Sequence, residues 1–369
     1  MRYYALEPVG SIKNLKMRHG DVPAPKNETD VIIKIEAAAL NYKDLVLARG
    51  VLPLDNGGAE HVPLSDGAGR IVAKGSGAIG LEIGERVVAA FFPDWRDGDP
   101  NGDERSLGHQ RPGMLSEFVR LPAHALVRVP STLNFAEAAS FPCAGATAWN
   151  ALVEKAALQQ GDTVLTMGTG GVSMFALQIA KAMGATVVSL TGSKMKETVL
   201  KETGADHVIN YRQVKDWDRA VLELTGGVGV DVVVEVGGAP TFQRSLNAVA
   251  FGGRISAVGV LAGVEGAVDP TSIIFKSVTL NGIYVGSARM LRDTMAFFDS
   301  NGLHPVLDEQ RFDFEDARAA FSRLDAQQHI GKVVIDVAGS NTAKKETVAK
   351  HPTEVCAEPG SLRKQSSRK

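Results

Sequence analysis

Cysteine is nearly absent: the 369 residues contain two, Cys143 and Cys356. Two thiols so far apart in sequence exclude a disulfide framework and any structural zinc site built on four thiolates. Charge of one sign is lacking too. Forty Lys+Arg stand against 42 Asp+Glu, a formal net charge of −2, so no global field favours nucleic acid or an anionic membrane surface. No apolar run approaches the roughly 18–20 residues that span a bilayer, and the opening MRYYALEPVG does not read as a secretory signal. These absences predict a soluble, cytoplasmic protein without nucleic-acid or membrane partners. Its length suits two domains of roughly 100–200 residues each. The surplus is in glycine, 39 residues, well above an average usage of roughly 7%.

The glycines punctuate two different patterns. From residue 163 onward, short β-branched runs alternate with helical segments: TVLTM (163–167), VSMFALQIAKAM (172–183), TVVSL (186–190), a charged helix at 194–203, HVIN (207–210), a helix at 214–224, DVVVEV (231–236), RISAVGV (254–260) and TLNGIYVG (279–286). Six strands alternating with helices predict βαβ units, hence an α/β fold with a doubly wound parallel sheet of the dinucleotide-binding kind. The first 125 residues instead hold strand-like runs between Gly/Pro turns: DVIIKIEAAAL (30–40), GRIVAKG (69–75), ERVVAAFF (85–92), LSEFVRLP (115–122) and ALVRVP (125–130). They predict a mostly-β domain, rolled into a barrel. Asn134 with Glu137 three residues on forms a capping box for the next helix, and Pro142 and Gly145 inside that helix predict a kink between the domains. FDFEDARAAFSRLDA (312–326) and GKVVIDV (331–337) read as a helix and strand returning to the first domain, after a helix at 289–300. The expected organisation is a β domain over 1–130 completed by 302–339, a dinucleotide-binding domain over 131–301, and a tail over 340–369. With few large apolar residues and seven Lys/Arg against three Glu, that tail is expected to be disordered.

Gly168-Thr169-Gly170-Gly171-Val172-Ser173 stands between the first strand of the α/β half and its helix. Glycine permits the tight turn, bare backbone lets a pyrophosphate approach, and the helix N-terminus supplies N–H donors. Ser173 replaces the third glycine of the usual fingerprint with another small residue. An acid that would hold a ribose 2′-hydroxyl is missing after the second strand, which continues Ser189-Leu190-Thr191-Gly192-Ser193-Lys194-Met195-Lys196. Thr191, Ser193 and Lys194 suit a 2′-phosphate, so NADPH is the expected cofactor; the alternative is that Lys194 and Lys196 merely start a solvated helix. Gly237, Gly259, Val260, Tyr284 and Val285, at later strand ends, are expected to line the cofactor groove.

The order of β domain, kinked helix, GTGGVS core and returning C-terminal segment resembles the medium-chain dehydrogenase/reductase superfamily over residues 1–338. NYKDLVLARG (41–50), PLSDGAG (63–69), GTGGVS (168–173), GADHVINY (204–211) and HIGKVVIDV (329–337) resemble its zinc-free, quinone oxidoreductase-like branch. The resemblance implies a GroES-like β domain, a cofactor contact at Tyr211, and a homodimer formed by sheet extension at Ile283-Tyr284-Val285. Zinc-dependent members carry catalytic ligands at positions that here hold Asn41, Ser65-Asp66 and Cys143. One thiol without an imidazole or thiolate partner does not make a tetrahedral site, so no metal is expected. An improvised site from Asp44, Asp66, Cys143 and a histidine is the alternative. The four-cysteine lobe of those relatives is replaced by a cysteine-free, Asp/Gly-rich loop over 91–113.

Without a metal, reduction of a conjugated acceptor is easier than reduction of a simple ketone, because charge from hydride attack delocalises over the π-system. The expected activity is therefore NADPH-dependent reduction of a quinone or activated C=C bond. Zinc-independent alcohol/aldehyde turnover and NADPH binding without turnover are the alternatives. Asn41 is the candidate donor to a substrate oxygen, Tyr42 and Lys43 are candidate acids, and Asp44 and Asp66 candidate orienting groups. The competing assignment is structural: Tyr42 in the core, Lys43 in solvent, Asp44 as a helix cap. Some quinone reductases of this branch carry a tyrosine at the position of Val46, and that role is lost here. Phe91, Phe92 and Trp95 either pack or form a lid over a flat substrate.

Overall fold

The computed structural model describes residues 1–52, 54 and 60–339; the expected tail over 340–369 lies outside the described residues. Six parallel strands form one sheet in the spatial order His207–Asn210, Thr186–Thr191, Thr163–Met167, Val230–Glu235, Val249–Ala257, Thr279–Gly282. Strand order reverses between Thr163–Met167 and Val230–Glu235, and a ligand crevice opens at such a reversal. Val232, Val233 and Val234 are fully buried, because helices cover both faces of a parallel sheet. At roughly 1.5–3 kcal/mol for each large apolar side chain removed from water, this strand is a main source of the sheet's stability.

A second sheet of seven strands has the order Phe312–Asp313, Val334–Asp336, Asp30–Ala39, Asp66–Lys74, Arg86–Ala89, Leu126–Arg128, with Phe118–Pro122 pairing to Asp30–Ala39. Its pairs are antiparallel apart from Phe312–Asp313 beside Val334–Asp336. The returning strand pairs with Ala37–Ala39, which brings the chain after residue 330 into the middle of the β half. The helical stretch between the sheets is capped by Asn134 and Glu137 as a capping box. It then alternates α-helical turns (Phe135–Ala138, Ala146–Trp149) with wider π-type turns (Phe141–Gly145, Asn150–Lys155). Pro142 has no N–H for the regular ladder, and the widened turn absorbs that loss.

Two sequence expectations are corrected, and one element was not foreseen. The last parallel strand stops at Gly282, so Ile283-Tyr284-Val285 is not strand. Val285 there has φ 49°, a left-handed conformation that strains a β-branched residue. The segment 312–326 is not one helix: a two-residue strand and a 3-10 turn precede Ala317–Asp325. A hairpin of Arg2–Leu6 and Leu15–His19 was not expected. Among the described residues no helix is long and apolar enough to cross a membrane.

Candidate active site

The glycine-rich turn forms between the strand Thr163–Met167 and the helix Gly171–Ala182. Gly168 has φ 77°, which glycine alone adopts freely, and Gly170 caps the helix Gly171–Ala182. A Cβ added at Gly168 or Gly170 would meet nothing within 4 Å, so the backbone faces open space where a pyrophosphate can approach. Ser173 Oγ donates to the Met167 carbonyl at 2.6 Å; the residue replacing the third glycine thus ties helix to strand. Gly171 is constrained differently, since a Cβ there would lie 2.7 Å from Cδ of Lys332.

At the end of the second strand, the Ser193 N–H donates to Thr191 Oγ1 at 3.2 Å. The Tyr211 ring lies over Gly192, where a Cβ would come 2.5 Å from the phenol oxygen. The Lys194 side chain is 80% exposed and pairs with Glu197 at 3.1 Å. Lys196 points elsewhere, donating to the Gln327 and His329 carbonyls at 3.0 and 2.8 Å. Thr191, Ser193, Lys194 and Tyr211 therefore share one rim, and Lys196 does not join them.

The far side of the groove is shaped by a buried carboxylate. Glu235 accepts the Gly237 and Gly238 N–H groups at 2.7 and 3.1 Å, the Thr241 hydroxyl at 2.7 Å, and the Ser245 hydroxyl. Four donors offset the cost of burying that charge and fix the turn after its strand. A Cβ at Gly259 would meet the Val236 carbonyl at 3.0 Å, while Val260 is exposed. Tyr284 packs on Phe92 at 4.6 Å between ring centroids, and the Val285 carbonyl accepts from Asn150 Nδ2 at 2.9 Å.

The polar centre lies between the two sheets. Asn41 lies two residues beyond the strand Asp30–Ala39 and is the N-cap of the short helix Tyr42–Ala48, its N–H donating to Asp44 Oδ2 at 2.7 Å. Lys332 Nζ donates to Asn41 Oδ1 and, at 3.0 Å, to Asp66 Oδ2. Asn41 Nδ2 donates to Ser65 Oγ at 3.3 Å, and Ser65 Oγ donates to Asp66 Oδ1 at 2.8 Å. The Cys143 N–H reaches Asp66 Oδ2 at 3.4 Å. Lys43 donates to the Leu107 carbonyl at 2.7 Å and sits 4.3 Å from the Phe91 ring centroid, so it is held by the 91–113 loop rather than by solvent. Tyr42 is 37% exposed and is not core. Asp44 does cap its helix, and its Oδ1 has no partner among the described residues.

Burial dominates the titration behaviour. It lifts the Asp44 carboxyl to about 6, lowers the Lys43 ammonium, and pushes the Cys143 thiol up to about 12, with Asp66 adding to the last effect. Burial thus favours the neutral thiol of Cys143 near pH 7. Phe91, Phe92 and Trp95 are buried and cluster with Met290, Cys143 and Val285. Backbone bonds from Ala288 and Arg289 to the Trp95 and Arg96 carbonyls, 2.9 and 3.0 Å, anchor the loop to the α/β half. These aromatics pack.

The donor set does not fit a zinc ion. Asn41 and Asp66 are already engaged by an ammonium, and Ser65 offers a hydroxyl. The buried His61 is spent on the Gly108 carbonyl at 3.1 Å. Among the described residues no group of three or more His, Cys, Asp or Glu is placed to hold a metal. Sequence reasoning missed Lys332. Its signal was a lysine directly before VVIDV, a run buried nearly throughout, where a charge needs a partner.

A doubly wound sheet with an open phosphate turn, joined to a β half that presents a buried polar centre, defines a dinucleotide-dependent oxidoreductase. Two family models match: the alcohol dehydrogenase GroES-like domain over residues 27–131 and the zinc-binding dehydrogenase over residues 171–300. A zinc-type alcohol dehydrogenase-like protein of Schizosaccharomyces pombe is 39% identical over 345 residues, covering 91% of this chain and 99% of that protein. An acryloyl-coenzyme A reductase of Metallosphaera sedula is 29% identical over 88% of this chain and 97% of its own. A crystal structure of an NAD-dependent alcohol dehydrogenase matches with a TM-score of 0.84 at 33% identity, covering 91% of this chain and all of that one, 100%. The chain belongs to the medium-chain dehydrogenase/reductase superfamily, and is an NAD(P)-dependent oxidoreductase.

Proposed function

We propose that this protein is a zinc-independent, NADPH-dependent reductase of a conjugated acceptor, a quinone or an activated C=C bond. The observation that carries this reading is the Lys332–Asp66–Asn41 network, which leaves hydrogen-bond donors rather than a Lewis acid at the polar centre. Donors of this strength suit an acceptor whose own π-system spreads the charge. The relative named acryloyl-coenzyme A reductase acts on such a bond by its name. The relatives named alcohol dehydrogenases favour alcohol/aldehyde turnover as the second reading.

Gly168, Thr169, Gly170, Gly171, Val172 and Ser173 hold the pyrophosphate in this proposal. Thr191, Ser193, Lys194 and Tyr211 hold the 2′-phosphate, and Gly237, Gly259, Val260, Tyr284 and Val285 line the nicotinamide end. Bound NADPH supplies a hydride. Asn41 Nδ2 donates to the acceptor oxygen as negative charge builds there, Tyr42 at the exposed mouth is the candidate proton donor, and Lys43 and Asp44 fix the loop that carries both. We place the domain boundaries at 1–130 with 302–339, and 131–301. We further infer a homodimer, in which the outermost strand Thr279–Gly282, with exposed Leu280 and nearby Phe251 and Phe275, meets a second copy. The deciding experiment is NADPH oxidation against quinones, enones, aldehydes and alcohols, with and without a chelator. Turnover of quinones or enones that survives chelation is expected; turnover of alcohols alone, or its loss to the chelator, overturns the reading.

A further inference from the structure

We propose that Lys332 is a positioning residue that orients and polarises Asn41, making the Asn41 amide the oxyanion donor of a site where an ammonium stands in place of a metal. The positions that match zinc-ligand positions of metal-dependent relatives, Asn41, the Ser65-Asp66 pair and Cys143, gather around this side chain. Two of them bond to Nζ directly, Asn41 through Oδ1 and Asp66 through Oδ2. The third, Cys143, reaches Asp66 through its backbone N–H.

The polarity of the network is fixed by chemistry. An ammonium only donates and a carboxylate only accepts. Lys332 therefore holds the amide with Oδ1 inward and Nδ2 away. One Nδ2 hydrogen goes to Ser65, whose hydroxyl passes on to Asp66. The ring Lys332, Asn41, Ser65, Asp66 closes with each of its four bonds running from a donor to an acceptor, and the second Nδ2 hydrogen has no acceptor among the described residues. A cation on an amide oxygen draws density from its nitrogen and strengthens the remaining N–H as a donor.

Burial argues that this arrangement is kept for use. The Lys332 and Asp66 side chains are 3% and 0% exposed, and a buried ion pair contributes little stability over an apolar pair of the same size. Position argues for the reaction. The Gly331 N–H donates to the Thr169 carbonyl at 2.8 Å, and Lys332 Cδ fills the space that a side chain at Gly171 would need. The turn that receives the pyrophosphate thus also sets the ammonium, and through it Asn41.

The inference rests on the proposed function only in naming the oxyanion as that of a reduced conjugated acceptor, so its test uses a bound anion rather than turnover. NADP+-loaded protein is titrated with 4-nitrophenol, whose ionised form is visible by its absorption band. The wild type is expected to bind it as the phenolate below its free pKa. Lys332→Met is expected to lose that preference by roughly 10- to 100-fold, the size of one charge-supported hydrogen bond. Lys332→Arg, which keeps a cation, is expected to recover most of it. Thermal melts and NADPH titrations of each variant report folding. Equal phenolate preference in wild type and Lys332→Met, or none in the wild type, overturns the proposal. So does a Lys332→Met defect confined to NADPH affinity with the phenolate preference intact. A protein that reduces no acceptor yet binds the phenolate through Lys332 refutes the proposed function and supports this inference. One whose enone turnover is untouched in Lys332→Met refutes this inference alone.

Discussion

Lys332 and Asn41, 291 residues apart in the chain, share one hydrogen bond from Nζ to Oδ1. It joins the segment leading into the returning C-terminal strand to the loop that opens the first helix, and it leaves one Asn41 Nδ2 hydrogen without an acceptor among the described residues. Removing an oxyanion donor of this kind costs about 10²–10³ in kcat. Asn41→Ala is therefore expected to lower kcat for an enone or quinone by that order and to change KM far less. Steady-state rates on the best acceptor from the panel check this. A rise in KM with kcat preserved would mean that Asn41 serves binding alone.

Gly331 tests the same connection through the backbone. It has φ 65°, and a Cβ there would lie 1.9 Å from the Val306 carbonyl oxygen. Gly331→Ala thus combines an unfavourable conformation with a clash against rigid backbone. A loss of more than about 2 kcal/mol of stability is expected. Urea unfolding measures it, and a midpoint equal to the wild type would show that this backbone yields to a methyl group.

How far the sequence revealed these relations depends on how local they are. TVLTM and HVIN coincide with the observed strands Thr163–Met167 and His207–Asn210: the first is a central strand, buried almost throughout and so mostly apolar, and the second, at the sheet edge, shows as a short β-branched run between turn residues. The GTGGVS turn was legible for a similar reason, since its glycines answer to local backbone geometry. The Arg2–Leu6 and Leu15–His19 hairpin was not, because RYYAL and LKMRH lack both a clean alternation and a tight-turn signature. Asn41, Asp44 and Asp66 were candidates from motif position alone. Lys332 showed only as a lysine ahead of a buried run, and its partners stayed hidden because they are set by antiparallel pairing of Val334–Asp336 with Ala37–Ala39. Contacts of that sequence separation leave no periodic trace.

Cofactor choice rests on the rim formed by Thr191, Ser193, Lys194 and Tyr211. Lys194 pairs only with the neighbouring Glu197, at 3.1 Å and with its side chain 80% exposed, so it remains available to a phosphate. Lys194→Ala is expected to weaken NADPH about tenfold or more, the size of a charge-assisted contact to phosphate, and to leave NADH nearly unchanged. Fluorescence titration with both dinucleotides measures the ratio. Equal losses would remove the 2′-phosphate assignment.

Asp44 makes a prediction with a defined sign. Its carboxyl is buried, faces Lys43, Asp66 and Lys332, and titrates at about 6 in the folded chain, up from the usual 3.8. Between those values the folded protein binds a proton that the unfolded chain has released. The ionised carboxylate therefore destabilises the fold progressively as pH rises through that window, and fully above it. A shift of this size corresponds to about 2–3 kcal/mol. Asp44→Asn keeps an oxygen for the Asn41 N–H and cannot ionise, so it escapes this penalty. The stability difference, variant minus wild type, is expected to grow in the variant's favour between about pH 4 and 6 and to level off above about pH 7. Urea midpoints at a series of pH values test it. A difference that does not change with pH would show that Asp44 is ionised at the same pH in both states, solvated in the fold by more than the Asn41 N–H and its charged neighbours.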